Sequence, residues 1–307
     1  MSLAAKLPWT HRFAGGYGGI GSQPLPTDAD AIDYLSRMAT ADGAGVETGV
    51  ATAVDAFFRD TKAAGVFDAL KACCILAGAR TLAGALVPVV GDAPANVADG
   101  FVEGDFSRTA GLTGDGSTTY LDSGRADDED PQNDRHLAVY VTGGTTVNRH
   151  FIGNFSTTPV FSMSAVYWGL TSNIRSIMSG NSTLETTGTY GGSTATFAGA
   201  VRTGATAAEL RALGETDTDN SASTGRNTIN NYVFARNDAG TANVYSDATL
   251  AFYSIGTSLS LEDLDTAVTN LINRLKFALL VGENPSGLDP DTIDYIVRGY
   301  EAGGSLE

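Results

Sequence analysis

The sequence predicts a mainly β protein, a two-sheet sandwich preceded by helices and closed by one packing helix. Three observations predict it. Between about residues 106 and 255, short apolar segments are punctuated by Gly114-Asp-Gly116, Gly143-Gly144, Gly191-Gly192 and Asn237-Asp-Ala-Gly240, and strands this short and regularly interrupted favour antiparallel sheets over βαβ units. The chain holds 37 Gly against 9 Pro, and its middle is crowded with Thr, Ser and Asn, the makeup of a protein with many tight turns. Two segments frame that middle. Leu112-Thr-Gly-Asp-Gly-Ser-Thr-Thr-Tyr-Leu-Asp122 reads as a strand entered from a glycine turn, and Ala251-Phe-Tyr-Ser-Ile-Gly-Thr-Ser-Leu-Ser-Leu-Glu-Asp-Leu-Asp265 as a strand handing over to a capped helix.

Four regions follow along the 307 residues. Residues 1–45 form a glycine-rich arm or anchoring segment with a short helix over 28–39. Its Gly15-Gly-Tyr-Gly-Gly19 lacks the helix and Lys-Ser/Thr of a phosphate loop. Residues 46–96 form a helical segment and linker. Val50, Val54, Phe57 and Phe58 recur at helical spacing over 48–64, and Phe67, Leu70 and Cys74 mark a second helix over 66–77. The apolar stretch 82–90, interrupted by Pro88, suits a sheet edge. The helices need a partner for their apolar faces: the sandwich, one of its edges, or another subunit.

Residues 97–259 form the sandwich, with strands expected near 106–112, 119–121, 136–142, 151–155, 160–170, 174–178, 194–197, 228–236 and 249–255. In the fifth, Phe161, Met163, Ala165 and Tyr167 alternate with Ser162, Ser164, Val166 and Trp168. Trp168 is accordingly expected either on a concave contact face or beneath the preceding helices. Residues 260–307 begin with a helix over 261–280. Ser260 caps it, Glu262 and Asp263 complement its dipole, and Leu261, Leu264, Val268, Leu271, Ile272, Leu275 and Leu279 form its stripe. A short helix is expected from Asp289.

Charge and chemistry narrow the function. Thirty-five acidic against nineteen basic residues give a formal charge of −16, a field that repels nucleic acid. There is no bilayer-length apolar run and no signal-peptide pattern at the start, so membrane insertion is not expected. The two cysteines, Cys73 and Cys74, are adjacent and read as small buried hydrophobes. His11, His136 and His150 are the only histidines. None has metal-site spacing, and no Gly-x-Ser-x-Gly elbow accompanies them.

A glycosidase on a sandwich needs acids alternating on one strand, and none of the strands above shows them, with Glu185, Glu209 and Glu215 read as lying outside strands. No catalytic residue is therefore assigned. Asp127, Asp128, Asp130 and Asp134 form a dense oxygen-ligand run, the candidate site for Ca²⁺; no other cofactor is expected. Tyr167, Trp168, Asn173, Arg175, Arg236, Asn237 and Asp238 supply the aromatic and planar polar groups of a sugar-binding site.

The segment Cys74-Ile-Leu-Ala-Gly-Ala-Arg-Thr-Leu-Ala-Gly-Ala-Leu-Val-Pro88, followed by 112–121, resembles a stretch of tailed-bacteriophage virion proteins, especially tail or fibre-associated ones. Phe252-Tyr-Ser-Ile-Gly256 with Leu259, Leu261, Leu264 and Asp265 resembles the last strand and helix of their concanavalin A-like, laminin-G-like jelly-roll sandwich. Over about residues 50–280, the resemblance implies a virion component of the tail, with other virion proteins as partners. It also implies assembly as a homo-oligomer, a trimer in a fibre, and a host-surface glycan as ligand. Two alternatives stand beside it: a capsid or neck decoration protein that uses the sandwich for assembly, and a glycoside hydrolase, from which the missing acidic strand motif departs.

Overall fold

The computed structural model describes residues 25–97, 100–144, 148–157, 162–169, 173–180, 182–192 and 194–283. The arm through residue 24, the helix expected from Asp289, and Val160, Phe161 and Leu170 lie outside them. Among the described residues are four α-helices, α1 (Ala29–Asp42), α2 (Thr48–Ala63), α3 (Leu82–Ala85) and α4 (Leu261–Glu283). The strands, in chain order, are β1 (Leu70–Ile75), β2 (Pro88–Val90), β3 (Ala95–Asn96), β4 (Phe106–Ser107), β5 (Gly111–Thr113) and β6 (Leu121–Ala126). Next come β7 (Arg135–Gly143), β8 (Arg149–Ser156), β9 (Ser162–Trp168), β10 (Ile174–Met178), β11 (Leu184–Glu185) and β12 (Thr196–Gly204). The last are β13 (Ala207–Ala212), β14 (Glu215–Asp219), β15 (Asn230–Val233), β16 (Arg236–Asp238), β17 (Thr241–Asn243) and β18 (Thr249–Gly256).

The strands form a mainly antiparallel two-sheet sandwich with helices at both ends of the sequence. The first sheet runs β14-β13-β12-β7-β18-β1-β2 and the second β11-β10-β9-β8-β15-β6-β3; β16 joins β8 in parallel. Leu137, Val139, Val141, Tyr253 and Ile255 of the first sheet meet Phe151, Ile152, Val166 and Ile174 of the second between the layers. The alternate residues of the first sheet, Ala138, Tyr140, Phe197 and Phe252, point the other way, into Tyr34, Leu35, Val54, Phe57, Leu264 and Leu271 of α1, α2 and α4. The helices thus find their partner in the sandwich, making a third layer.

That double burial explains the principal departure from expectation. Residues 66–77 are not a helix: Phe67–Ala69 make one 3₁₀ turn and β1 follows, paired with β18 and β2. A strand covered on both faces reads as a near-continuous apolar run, here 72–75 after the exposed Lys71, and the spacing of Phe67, Leu70 and Cys74 imitates a helical stripe. Cys73 faces the helices and Cys74 the inter-sheet core, both as free buried thiols. Burial pushes the Cys74 thiol up to about 12, which leaves it unreactive. In the 82–90 stretch, Thr81 caps the single turn α3 through a bond from Gly84 N at 3.1 Å, and only Pro88–Val90 forms the expected edge strand.

The helix ends follow their sequence signals. Asp28 caps α1, accepting from Asp30 N and Ala31 N, and Gly43 closes it in the left-handed region at φ 65°. The Asp55 carboxylate on α2 accepts from Thr27 N at 2.7 Å and Asp28 N at 2.8 Å, fixing the entry to α1. Ser260 Oγ accepts from Asp263 N at 3.2 Å at the start of α4, and every residue of the expected stripe is buried. The two long helices cross closely at Gly49, where a Cβ would stand 2.7 Å from Ala278 Cβ. No helix among the described residues is long and apolar enough to cross a membrane.

The opening motif of the sandwich owes its shape to Asp115. Its Oδ1 accepts from the backbone N–H of Ser117, Thr118 and Thr119 at 2.8, 2.8 and 3.0 Å, while Oδ2 accepts from the Ser117 and Thr118 hydroxyls. Although the surrounding protein desolvates it, these donors hold the carboxyl far below the usual range. Asp115→Ala is expected to destabilise the protein by about 1–2 kcal/mol, the scale of a lost side-chain cap, read as a lower urea midpoint at unchanged slope. A midpoint equal to the parent's would show that the loop holds without it.

Candidate functional site

The helices occupy the back of the first sheet, and the sugar-type residues gather on the back of the second. A β-bulge between His150 and Ile152 in β8 sends Phe151 and Ile152 together into the core and turns His150, Gly153 and Phe155 outward. In β9, Val166 and Trp168 point inward, leaving Tyr167 outward opposite His150 and Arg175.

Trp168 is therefore neither a contact residue nor covered by the helices. It lies between the sheets, edge-on to Tyr190 with centroids 4.8 Å apart. Asn237 is also buried, donating to Asn230 O and accepting from Gly240 N; it shapes the turn between β16 and β17.

Two clusters remain of the expected set. Tyr167 stacks on His150 at 4.8 Å with 6° between planes. Beside it Arg175 pairs with Glu185 at 2.6 Å, and Asn173 bridges them, accepting from Arg175 Nε at 3.1 Å and donating to Glu185 at 3.0 Å. In the second cluster, Arg236 pairs with Asp238 at 3.1 Å, donates to Asn243 at 3.1 Å, and lies over the Phe155 ring. His150 is buried, its Nδ1 has no hydrogen-bond partner, and desolvation, with Arg236 nearby, lowers its pKa to about 3. It is a neutral ring at ordinary pH.

Three aromatic residues extend the face without having been expected. Tyr120 lies 4.6 Å from Tyr232 and 6.1 Å from Tyr245, centroid to centroid. His150 N donates to Val244 O at 3.2 Å, which ties the backbone of the segment that carries Tyr245 to β8. Asp122, paired in register with Tyr232, accepts from Asn230 Nδ2 at 2.9 Å. Alternation in Tyr120-Leu-Asp-Ser123 and Asn231-Tyr-Val233 was the available signal, since Leu121 and Val233 are core.

The four acids expected to bind calcium do not converge. Asp127 is fully buried in an ion pair with Arg135, and also accepts from Asn154 Nδ2 and Asn227 N at 3.0 Å. Asp130 takes both branches of Arg125, at 2.8 and 2.6 Å. Asp134 holds Ser258 N at 2.8 Å, and the Asp128 carbonyl accepts from Arg226. Among the described residues, no group of three or more His, Cys, Asp or Glu is arranged to hold a metal ion.

An alternating acidic strand does exist, contrary to expectation. Glu215, Asp217 and Asp219 lie on β14, and Glu209 on β13. Two of the β14 acids, Glu215 and Asp217, however, stitch the sheets together at their edge, and Asp219 holds the local turn. Glu215 accepts from Thr187 N at 2.8 Å, Asp217 from Glu185 N at 3.0 Å, and Asp219 from Ser221 N at 3.0 Å. Carboxylates filled by backbone donors at an edge are fasteners, unlike a pair flanking a scissile bond.

The chain matches no protein-family model and no curated protein. Among solved structures, it is similar to the Ruminococcus gnavus IT-sialidase CBM40, at 15% identity over 45% of this chain and 83% of that one, with a TM-score of 0.36. It is also similar to domains LG4-5 of the mouse laminin alpha1 chain, at 11% identity over 41% of this chain and 36% of that one, TM-score 0.31. A third is Trypanosoma rangeli sialidase in complex with sialic acid, at 11% identity over 45% and 23%, TM-score 0.36.

Proposed function

We propose that this protein is a non-catalytic, glycan-binding adhesion component of a bacteriophage virion, carried on the tail as a homo-oligomer and engaging host-surface polysaccharide through the back of its second sheet. The observation that carries the glycan reading is the assembly of Tyr167, backed by the buried His150 ring, with Arg175, Asn173 and Glu185 on one face. Aromatic surface packs against the C–H face of a sugar, while planar side chains held by one another present fixed donors and acceptors to its hydroxyls. The virion and tail assignment draws its support from the resemblance of the segments at 74–88, 112–121 and 252–265 to tailed-bacteriophage proteins.

The experiment is binding of the purified protein to immobilised host-surface polysaccharide, with Tyr167→Ala as the probe variant. Saturable binding without product release, weakened at least tenfold in a variant whose circular dichroism shows it still folded, is the expected result. Absence of binding by the parent protein would reject the adhesive reading. Antibody label located by electron microscopy at the distal tail would support the placement, and label at the capsid or neck would favour the decoration role instead.

A further inference from the structure

The ligand class is written in the charge and extent of the same face. Arg175 and Arg236 both project there, and each is already paired, with Glu185 at 2.6 Å and Asp238 at 3.1 Å. Asp122 adds a third carboxylate, so two cations stand among three anions within a chain of formal charge −16. An anionic ligand would have to displace a carboxylate from its arginine and approach against the protein's field. A neutral one needs neither.

The aromatic residues stand toward both sides of this face. They fall in two groups: Tyr167 on β9 over the buried His150 ring of β8, and Tyr120 with Tyr245 beside the largely buried Tyr232 of β15. From Arg175 on β10 to Asp122 on β6, the face crosses β9, β8 and β15, four spacings of about 4.8 Å, or roughly 19 Å. A hexose ring and its glycosidic link advance a chain by about the same length.

Resting on the glycan reading, we infer that this face takes a neutral polysaccharide chain laid across the strands and contacts about four consecutive sugars, instead of capturing an acidic sugar or a chain end.

The test is calorimetric titration of the whole protein with neutral dextran, laminarin and mannan fragments of one to six sugars, with polygalacturonate fragments and sialyllactose as the anionic set. The expected result is binding of a neutral series, with affinity rising at least tenfold from disaccharide to tetrasaccharide and levelling beyond it. It should change less than twofold between 50 and 500 mM salt, and Tyr120→Ala should flatten the rise. A monosaccharide bound as tightly as the tetrasaccharide, or preference for the anionic set with salt-weakened affinity, would overturn the inference while leaving glycan binding intact. Binding of no glycan in either set, nor of host polysaccharide, would overturn both.

Discussion

Asp127→Ala is expected to cost about 3–5 kcal/mol of stability, the scale seen when one partner of a buried ion pair is removed. Asp127 is fully buried and Arg135 nearly so. Without the carboxylate, the guanidinium keeps, among the described residues, only Ser179 Oγ at 3.0 Å as a side-chain partner. Asn227 N loses its acceptor and Asn154 Nδ2 one of two, keeping Asn231 Oδ1, and an unpaired buried donor carries its full desolvation cost.

At two to four degrees per kcal/mol for a domain this large, the melting temperature should fall on the order of 10 °C. The double variant Asp127→Leu, Arg135→Met removes the stranded charge and should recover part of the loss, leaving the Asn227 N donor unmet. Denaturant unfolding of parent, single and double variants measures this. A single variant within 1 kcal/mol of the parent would mean that water reaches Arg135.

Acidification is the second large effect. Burial lowers the pKa of His136 to about 4, against the opposing hydrogen bond with Thr257 O, and that of His150 to about 3. Both lie below the ordinary 6.5, so the unfolded chain binds protons more readily than the folded one below that pH. The stabilising contribution is full above 6.5 and is lost as pH falls toward the folded values. Between pH 6.5 and 4.5 the two histidines together should remove roughly 5 kcal/mol. That window lies above most carboxylate titration, so His136→Gln and His150→Gln should each flatten the fall there. Urea midpoints across the window are the measurement, and a parent protein equally stable at both ends would show that both imidazoles protonate without unfolding.

How far the fold could be read in advance depended on whether each segment had one buried face or two. The α4 stripe, the Asp28 cap and β10 (Ile174–Met178) are where periodicity and capping put them, because each has a polar side to break the pattern. β1 has none and imitates a helix. Residues 207–219 carry Ala, Leu, Glu and Arg, good helix formers, yet Leu213 and Gly214 both adopt positive φ, 56° and 73°. They make the tight turn that folds β13 onto β14; tertiary pairing overrode propensity.

In the site, alternation along β9 placed Tyr167 correctly relative to its neighbours, but only the second sheet reveals that Trp168 has the inward phase. Tyr120, Tyr232 and Tyr245 come together from positions up to 125 residues apart in the sequence, a proximity that no local pattern records. The acidic run looked like free ligands because nothing in the local pattern shows which arginines neutralise it, Arg135 for Asp127 and Arg125 for Asp130.

The position of β18 also governs how the chain is made. It sits between β7 and β1 at the heart of the first sheet, and its Tyr253 meets Cys74 across 179 residues of sequence. Until residue 256 has left the ribosome, β1 has no central neighbour and the apolar backs of α1 and α2 have an incomplete floor. Contacts this distant in sequence make folding slow. The nascent chain therefore carries its N-terminal helices and unpaired strand edges exposed for most of its synthesis, and the sandwich cannot close before its last strand is inserted at the centre.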